Sequence, residues 1–209
     1  MAKSEPKPRS KRADGALSRD RILDAAAEIA AERGYEGTSI ALVSAKCGLP
    51  ASSIYWHFKD KDDLIAAVIE RSFGHWFSAW QFPDEGEPAE RLSAAAAQTA
   101  KALSDSPDFI RLGLMLSLEH RPVEPRARAM FIEARDQAFR ILATGIRELV
   151  PGLTDPQAEQ VATYAIAGAD GLLIAKEISG DTVDLGTLFE MHARALYHVA
   201  VQLRDENAQ

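Results

Sequence analysis

One short stretch of the chain, residues 50–61, carries the side chains whose types and spacing best suit binding chemistry. If this stretch is helical, one face presents, at positions i, i+3, i+4 and i+7, the residues Ser52, Tyr55, Trp56 and Lys59. Hydroxyl and ammonium groups suit phosphate oxygens, and aromatic rings suit thymine methyl groups or a sugar edge. Ile54 and Phe58, four residues apart, would point inward together. The pattern predicts a short helix with a nucleic-acid-facing side and an apolar anchor.

A tight turn is predicted directly before this helix. The chain suits a preceding helix that begins after Thr38 or Ser39 and ends at Gly48, because glycine tolerates the left-handed backbone at a helix end. Pro50 then sets the turn. Two short helices joined in this way, with a polar face on the second, make a helix-turn-helix. The alternative is an ordinary helical hairpin, which would bury the aromatic residues of its second helix.

Residues 18–70 resemble the DNA-binding domain of the TetR family of transcriptional regulators. The matching residues are Ile22 to Ala30, Gly34-Tyr35, Thr38-Ser39-Ile40, Gly48-Leu49 and the string from Ser53 to Leu64. The resemblance covers about a quarter of the chain, and the Tyr-Trp-His-Phe-Lys block is its most specific part. It implies an all-α fold, in which an N-terminal three-helix helix-turn-helix domain precedes a C-terminal helical domain for ligand binding and dimerisation.

The resemblance also implies contacts with a double-stranded DNA operator. The side chains implied to make them are Thr38, Ser39, Ser52, Ser53, Tyr55, Trp56, His57, Lys59 and Lys61. Hydroxyls at the start of the second helix would contact phosphate, the third helix would face the groove, and the lysines would supply charge. The chain departs from the family at Ala41, where several members carry a base-reading Arg or Lys, and at Ala51, which is equally short. The base-reading set is therefore thin.

Helical patterns fill the rest of the chain, so we expect about nine helices. The basic residues 1–17, rich in Pro and Ser, are predicted to be a disordered arm. Residues 18–64 are the predicted helix-turn-helix domain and residues 65–209 the predicted ligand-binding and dimerisation domain. Helix 1 is expected from Ser18, a good N-cap, to Gly34. The later helices are expected at about 61–80, 88–104, 107–120, 125–149, 154–178 and 184–205.

The last two predicted helices are candidates for a homodimer interface. The first is dense in Ala and Gly, which let helix backbones approach closely, and the second carries an apolar stripe. Two such helices from each protomer would make a four-helix contact, as the resemblance also implies. The predicted interface residues are Leu172, Leu173, Leu188, Met191, Ala195 and Val199. The alternative is that the first of these helices is buried within one protomer.

A ligand pocket is expected among helices 4 to 8. The candidate residues are His75, Trp76, Trp80, Phe109, Met115, Glu119, His120, Phe131, Tyr164 and Asp170. Polar groups in apolar surroundings, such as Asp170 between Ala169 and Gly171, are the better markers of a pocket. The alternatives are plain core packing for the aromatic residues and, for Asp170, a structural role in capping or pairing. The aromatic bias favours a mostly apolar small-molecule effector.

The charge distribution is compatible with DNA binding, although the net charge is −7. Residues 1–61 hold 11 Lys and Arg against 8 Asp and Glu, whereas residues 62–209 hold 13 against 23. A mildly basic head on an acidic body fits binding through the head. No apolar run of about 18 residues occurs, and no apolar segment follows the basic start. We therefore expect a cytoplasmic protein with neither a membrane span nor a secretory signal.

No constellation of catalytic or metal-ligating residues stands out. The single cysteine, Cys47, falls on the inner face of helix 2, and His192 and His198 lie on roughly opposite sides of a helix. Motifs typical of zinc proteases, serine hydrolases, phosphate loops and dinucleotide sites do not occur. We expect no enzyme activity, cofactor or metal, and a TetR-like repressor that a small apolar ligand releases from its operator. The alternative is a helical interaction protein, or an enzyme that reuses the fold.

Overall fold

The computed structural model describes residues 11–79, 86–105, 107–119 and 123–206, with only the backbone at 11–14 and 78–79. Within these ranges the chain is helical and contains no strand, which confirms the all-α prediction. The helices are α1 (Lys11–Gly37), α2 (Ile40–Cys47), α3 (Ala51–His57), α4 (Lys61–Ala79), α5 (Pro88–Asp105), α6 (Asp108–Leu118), α7 (Arg126–Leu149), α8 (Asp155–Ser179) and α9 (Leu185–Glu206). A single 3-10 turn, Gly180–Thr182, lies between the last two.

Local capping interactions explain where several of these helices start and stop. The side chain of Ser39 accepts the backbone N–H of Leu42, which satisfies a donor at the start of α2. Gly48 ends α2 with φ 68° and ψ 21°, the left-handed conformation that its lack of a Cβ allows. Thr154 and Gln157 form a reciprocal capping box at the start of α8. These boundaries confirm those read from the sequence.

The first helix begins earlier than predicted. It starts at Lys11 rather than at Ser18, so residues 11–17 of the predicted disordered arm are helical, and the remainder of that arm lies outside the described residues. The segment Lys-Arg-Ala-Asp-Gly-Ala-Leu contains five strong helix formers, which outweigh its one glycine. The predicted end, Gly34, precedes the last residue of the helix, Gly37, by one turn or less. Gly34 has φ 68° and ψ −176°, which kinks the helix before its last residues.

The chain divides into two compact units whose boundary differs from the prediction. One unit holds the residues up to Ile69 together with Leu112–Ala129, and the other holds Glu70–Arg111 and Met130 onward. The predicted division at residues 64 and 65 was too early, because Val68 of α4 packs in the same core as the helix-turn-helix. It also missed Ala127, which is fully buried in the first unit. Its backbone N–H is bound by the side chain of Asp62.

Each unit has its own apolar interior. The core of the first unit gathers Ile22, Leu23, Ala25, Ala26, Ile29, Val43, Cys47, Ile54, Phe58, Leu64 and Val68. In the second unit, one core cluster joins α5, α8 and α9 around Phe189, and another joins α7, α8 and α9 around Ala162. Helices α8 and α9 contribute to both clusters, so this pair of helices joins the two parts of the interior. None of the described helices is both long and apolar enough to cross a lipid bilayer.

Candidate functional site

Helix α3 is a short helix held from behind by two apolar side chains. Pro50 precedes it in an extended conformation, and its carbonyl accepts the backbone N–H of Ser53. Ile54 is fully buried and Phe58 is nearly so, both in the core of the first unit. Burying each of these side chains contributes on the order of 1.5–3 kcal/mol. The prediction that they anchor the helix together is confirmed.

The opposite side of α3 is exposed. Tyr55 is 57% exposed and Trp56 is 77% exposed, and Ser52 and Lys59 are exposed beside them. The alternative hairpin, in which these aromatic residues would be buried, does not fit this arrangement. Large exposed aromatic residues on a well-anchored helix are typical of a surface that meets a partner.

His57 lies half-buried at the end of the same helix. Its ring meets Trp56 edge to face, with ring centroids 4.6 Å apart. Burial lowers the pKa of His57, and the nearby positive charge of Arg19 lowers it further. The imidazole is therefore neutral at pH 7 and offers a hydrogen bond rather than a charge. Its predicted contact with the DNA backbone would be of that kind.

Two of the side chains predicted to contact DNA, those of Thr38 and Lys61, make hydrogen bonds within the protein. Thr38 is 1% exposed, and its hydroxyl donates to the carbonyl of Gly34 at 2.8 Å, so its predicted phosphate contact is wrong. The kink at Gly34 leaves that carbonyl without its helical donor, and Thr38 satisfies it. Lys61 is held by Tyr35: its Nζ donates to the Tyr35 carbonyl at 3.1 Å and lies 4.2 Å from the ring centroid. The side chain of Lys61 is 28% exposed, and its predicted supply of charge to the DNA stays a prediction.

The other predicted hydroxyls remain near the surface. Ser39 is exposed, and since its oxygen accepts the Leu42 N–H, the hydroxyl proton stays available for an acceptor outside the protein. Ser53 is half-buried. The turn itself is fixed by bonds that the sequence did not reveal. Ser44 donates to the carbonyl of Leu49 at 2.6 Å, and Arg21 donates to the carbonyl of Cys47 at 2.7 Å.

A second group of bonds ties the start of α4 to the start of α7. Asp60 accepts the backbone N–H of Asp63 at 2.9 Å and so caps α4, as predicted. The neighbouring Asp62 accepts the hydroxyl of Tyr35 at 3.2 Å and the backbone N–H of Arg126 at 2.6 Å. Arg126 also pairs with Asp63 through its guanidinium. Asp62 thus serves as a cap for α7, a role that the sequence did not indicate because 64 residues separate the partners.

The second unit contains a cavity of about 140 Å³. Its wall is almost wholly apolar and comes from α4 to α9. The aromatic residues are Phe73, Trp76, Phe109 and Phe189, and the polar side chains are Thr99, Arg135, Asp170 and His192. Three predicted pocket residues, Trp76, Phe109 and Asp170, do line it. A space of this kind, apolar with a few polar groups, is typical of a small-molecule site.

The structure places the other predicted pocket residues elsewhere. Phe131 is buried behind Phe109, with ring centroids 5.5 Å apart, so it is core. Tyr164 is 55% exposed and His75 is also exposed, so neither lines the cavity. Both Met115 and Glu119 belong to the other unit and are exposed. Trp80 and His120 lie outside the described residues.

Three polar residues of the cavity, Thr99, Arg135 and His192, were not among the predicted pocket residues. Arg135 of α7 binds Asp170 of α8 through two hydrogen bonds, Nη1 to Oδ1 at 2.9 Å and Nη2 to Oδ2 at 2.6 Å. His192 of α9 lies with Nε2 3.1 Å from the carbonyl of Ala165. Its ring fills the space above Gly168, where an added Cβ would come 2.2 Å from Cε1 of the imidazole. The glycine in the middle of α8 is the one sequence signal for this close approach.

An apolar face of α8 and α9 is exposed in the single chain. Its largest side chains are Tyr164, Ile174, Ile178, Met191 and Val199. The predicted interface residues Leu172 and Leu173 are not on it. Leu173 is 2% exposed and packs in the core with Phe189, and Leu172 packs against the same cluster. Of the predicted residues of α9, Met191, Ala195 and Val199 are exposed and Leu188 is half-buried, whereas on α8 the exposed side chain is Ile174 rather than Leu172 or Leu173. The interface itself stays a prediction.

Comparison with known proteins bears first on α1 to α4, which carry the candidate DNA-binding surface. Residues 22–68 match the family described as bacterial regulatory proteins, tetR family. An HTH-type transcriptional repressor from Mycobacterium tuberculosis is 29% identical over 139 residues, which is 66% of this chain and 52% of the repressor. The chain thus spans about half the length of the mycobacterial relatives it matches.

Solved structures extend the likeness to nearly the whole chain. A transcriptional regulator from Rhodococcus sp. Rha1 has a TM-score of 0.69 at 22% identity and covers 88% of this chain and 96% of its own. The regulator FadR from Bacillus subtilis, in complex with stearoyl-CoA, has a TM-score of 0.67 at 20% identity and covers 88% and 98%. These two likenesses support the fold, and the match over α1 to α4 supports the family. Residues 22–68 therefore carry the DNA-binding domain of the family described as bacterial regulatory proteins, tetR family.

Proposed function

We propose that the protein is a DNA-binding transcriptional repressor that a small apolar ligand releases from its operator. The observation that carries the proposal is the helix α3, whose Ile54 and Phe58 are buried while Tyr55 and Trp56 are exposed. A helix anchored on one side and exposed on the other is what entry into a major groove requires. A mycobacterial relative, 29% identical over 139 residues, is a transcriptional repressor.

The proposed DNA-binding form is a homodimer. The exposed apolar face of α8 and α9 supports it, because side chains as large as Ile178, 79% exposed, favour burial against a second copy. Two copies related by a twofold axis would present two α3 helices to successive major grooves, about 34–36 Å apart. The operator would then be pseudo-palindromic. Phosphate contacts from Ser39, Tyr55 and Lys59 would fix its register.

The proposed effector occupies the cavity of the second unit. Its apolar wall suits a mostly apolar molecule. A protein of the same fold, FadR from Bacillus subtilis, was solved in complex with stearoyl-CoA, so this architecture can hold a ligand with a long apolar chain. A ligand that binds one dimer geometry better than another shifts the population toward it. A coupling of about 1–3 kcal/mol between ligand and operator is sufficient.

The experiment is a DNA retardation assay with the region upstream of the protein's own gene. We expect a shifted complex with dimer stoichiometry, competed poorly by unrelated DNA, and an affinity that falls as salt rises. Adding members of an apolar ligand library one at a time should release the complex for at least one compound. Equal binding to upstream and unrelated DNA would contradict the regulatory proposal. Specific binding that no ligand alters would contradict its induction half.

A further inference from the structure

We propose that the cavity selects a neutral ligand, mostly apolar, whose one polar group hydrogen-bonds the Arg135–Asp170 pair, and that it rejects carboxylates and ammonium ions of the same shape. This inference deepens the proposed function and rests on its assignment of the cavity to an effector. It concerns the charge class of the effector, which the apolar wall alone does not determine.

The polar part of the cavity is a closed ion pair. Arg135 and Asp170 meet through two parallel hydrogen bonds of 2.9 and 2.6 Å, the bidentate geometry in which guanidinium and carboxylate match best. Their side chains are 28% and 19% exposed. The guanidinium carbon also lies 5.6 Å from the centroid of the Phe131 ring. Each charge therefore has its partner within the protein, before any ligand arrives.

The electrostatic balance of the wall follows from this pair. Among the described residues that line the cavity, Arg135 and Asp170 are the only ones with a permanent charge, and they cancel. A ligand carboxylate would lie as a second anion beside Asp170, or it would replace Asp170 on Arg135 and leave the Asp170 carboxylate unpaired among apolar side chains. A ligand ammonium would lie as a second cation beside Arg135, or it would replace Arg135 on Asp170 and leave the guanidinium unpaired. Leaving a charge unpaired in such surroundings is strongly unfavourable.

The pair can still hydrogen-bond a neutral group. Each oxygen of Asp170 receives one N–H from Arg135 and has a second lone pair, while each terminal nitrogen of Arg135 carries a second N–H. Donors and acceptors thus lie side by side, which suits a hydroxyl or an amide. His192 also lines the cavity, and its Nε2 donates to the carbonyl of Ala165.

The test measures the binding of three matched probes to the full-length protein by titration calorimetry at pH 7 without DNA. The probes are octanol, octanoate and octylammonium, which share one apolar chain and differ in the charge of the polar group. We expect octanol to bind at least about tenfold more tightly than either charged probe. Octanoate or octylammonium binding as tightly as octanol would overturn the inference, as would the absence of saturable binding by all three.

Two variants test whether the ion pair causes the selectivity. In Asp170→Asn the guanidinium loses its partner, and the ratio of octanoate to octanol affinity should rise by about tenfold or more. In Arg135→Gln the Asp170 carboxylate loses its partner, and the ratio of octylammonium to octanol affinity should rise by about tenfold or more. The ratio is taken within one variant, so a general loss of stability cancels. If one variant fails to fold by circular dichroism, the other still decides.

The matched control is Arg111→Gln. Arg111 binds Glu177 at 2.6 Å in the same unit, and neither residue lines the cavity. This variant should keep the wild-type order of the three probes, and a reversal of that order would overturn the role of the Arg135–Asp170 pair. The proposed function is tested separately by DNA binding of the ligand-free protein. A protein that binds its operator but prefers octanoate refutes this inference alone, whereas a protein that binds no DNA refutes the repressor.

Discussion

The two units of the molecule build their candidate sites in opposite ways. In the first unit, α3 carries both the exposed surface and its anchor, since Tyr55 and Trp56 lie between Ile54 and Phe58. In the second unit the polar centre of the cavity joins residues from different helices, and 35 residues separate Arg135 from Asp170. The first site therefore depends on local sequence, and the second depends on how long helices pack. Substitutions should disturb the two sites differently.

The strongest test of this contrast is a pair of substitutions on α8. Leu173→Asp places a charge in the core beside Phe189 and should cost several kcal/mol of unfolding free energy. Ile174→Asp, one residue on, is 45% exposed in the single chain and should leave the monomer folded while it weakens the proposed dimer. Chemical denaturation and sedimentation would separate the two effects. Equal loss of folding by both would contradict the assignment of Leu173 to the buried side of α8 and of Ile174 to its exposed side.

The anchor of α3 gives the next largest effect. Phe58→Ala removes a side chain that is 3% exposed and should lower the unfolding free energy by about 3–5 kcal/mol. Urea unfolding, followed by circular dichroism, measures it. DNA binding should fall with stability, because the exposed face would lose its support. Wild-type stability in this variant would mean that α3 is not clamped as described.

A smaller effect is expected at Thr38, where a surface role and a structural role predict different results. Thr38→Val keeps the shape but removes the hydroxyl that binds the Gly34 carbonyl, and should cost about 1 kcal/mol. The loss of DNA affinity should not exceed what this destabilisation explains. Ser39→Ala is the exposed comparison, and it removes both the cap of α2 and the proposed phosphate contact. A large, salt-dependent loss of affinity in the valine variant alone would restore Thr38 as a contact.

The smallest effect concerns pH. The pKa of His57 is lowered in the folded protein, chiefly by burial, so the unfolded chain binds its proton more readily. The contribution of this group to stability is present above the usual histidine pKa of about 6.5 and is lost as the pH falls through the lowered value. Unfolding free energies between pH 7 and 5 should therefore decrease slightly less in His57→Gln than in the wild type. Parallel curves would contradict the lowered pKa.

Sequence reasoning succeeded where the signal was local. Ser39, Gly48 and Thr154 act on backbone groups within four residues, so their types alone predict helix ends. Likewise, the spacing of Ile54 and Phe58 fixes the side of α3 that is buried.

It failed where the deciding contact joins residues far apart in the sequence, or where the apolar residues of a helix show no periodicity. Asp62 caps a helix that starts 64 residues later, and no residue pattern in either segment indicates this contact. Helix α8 is apolar on nearly every side because of its many Ala residues, so periodicity could not tell Leu173 from Ile174. The helical start at Lys11 was missed because a basic, Pro-rich composition was extended over residues that are good helix formers.

The most direct test of the account is the operator affinity of Tyr55→Ala, measured by fluorescence anisotropy beside its unfolding free energy. Tyr55 is exposed on α3 and lies outside the core cluster, so the substitution should leave folding within about 0.5 kcal/mol of wild type. Operator affinity should fall by about tenfold or more. Unchanged affinity in a folded protein would show that this face of α3 does not meet DNA.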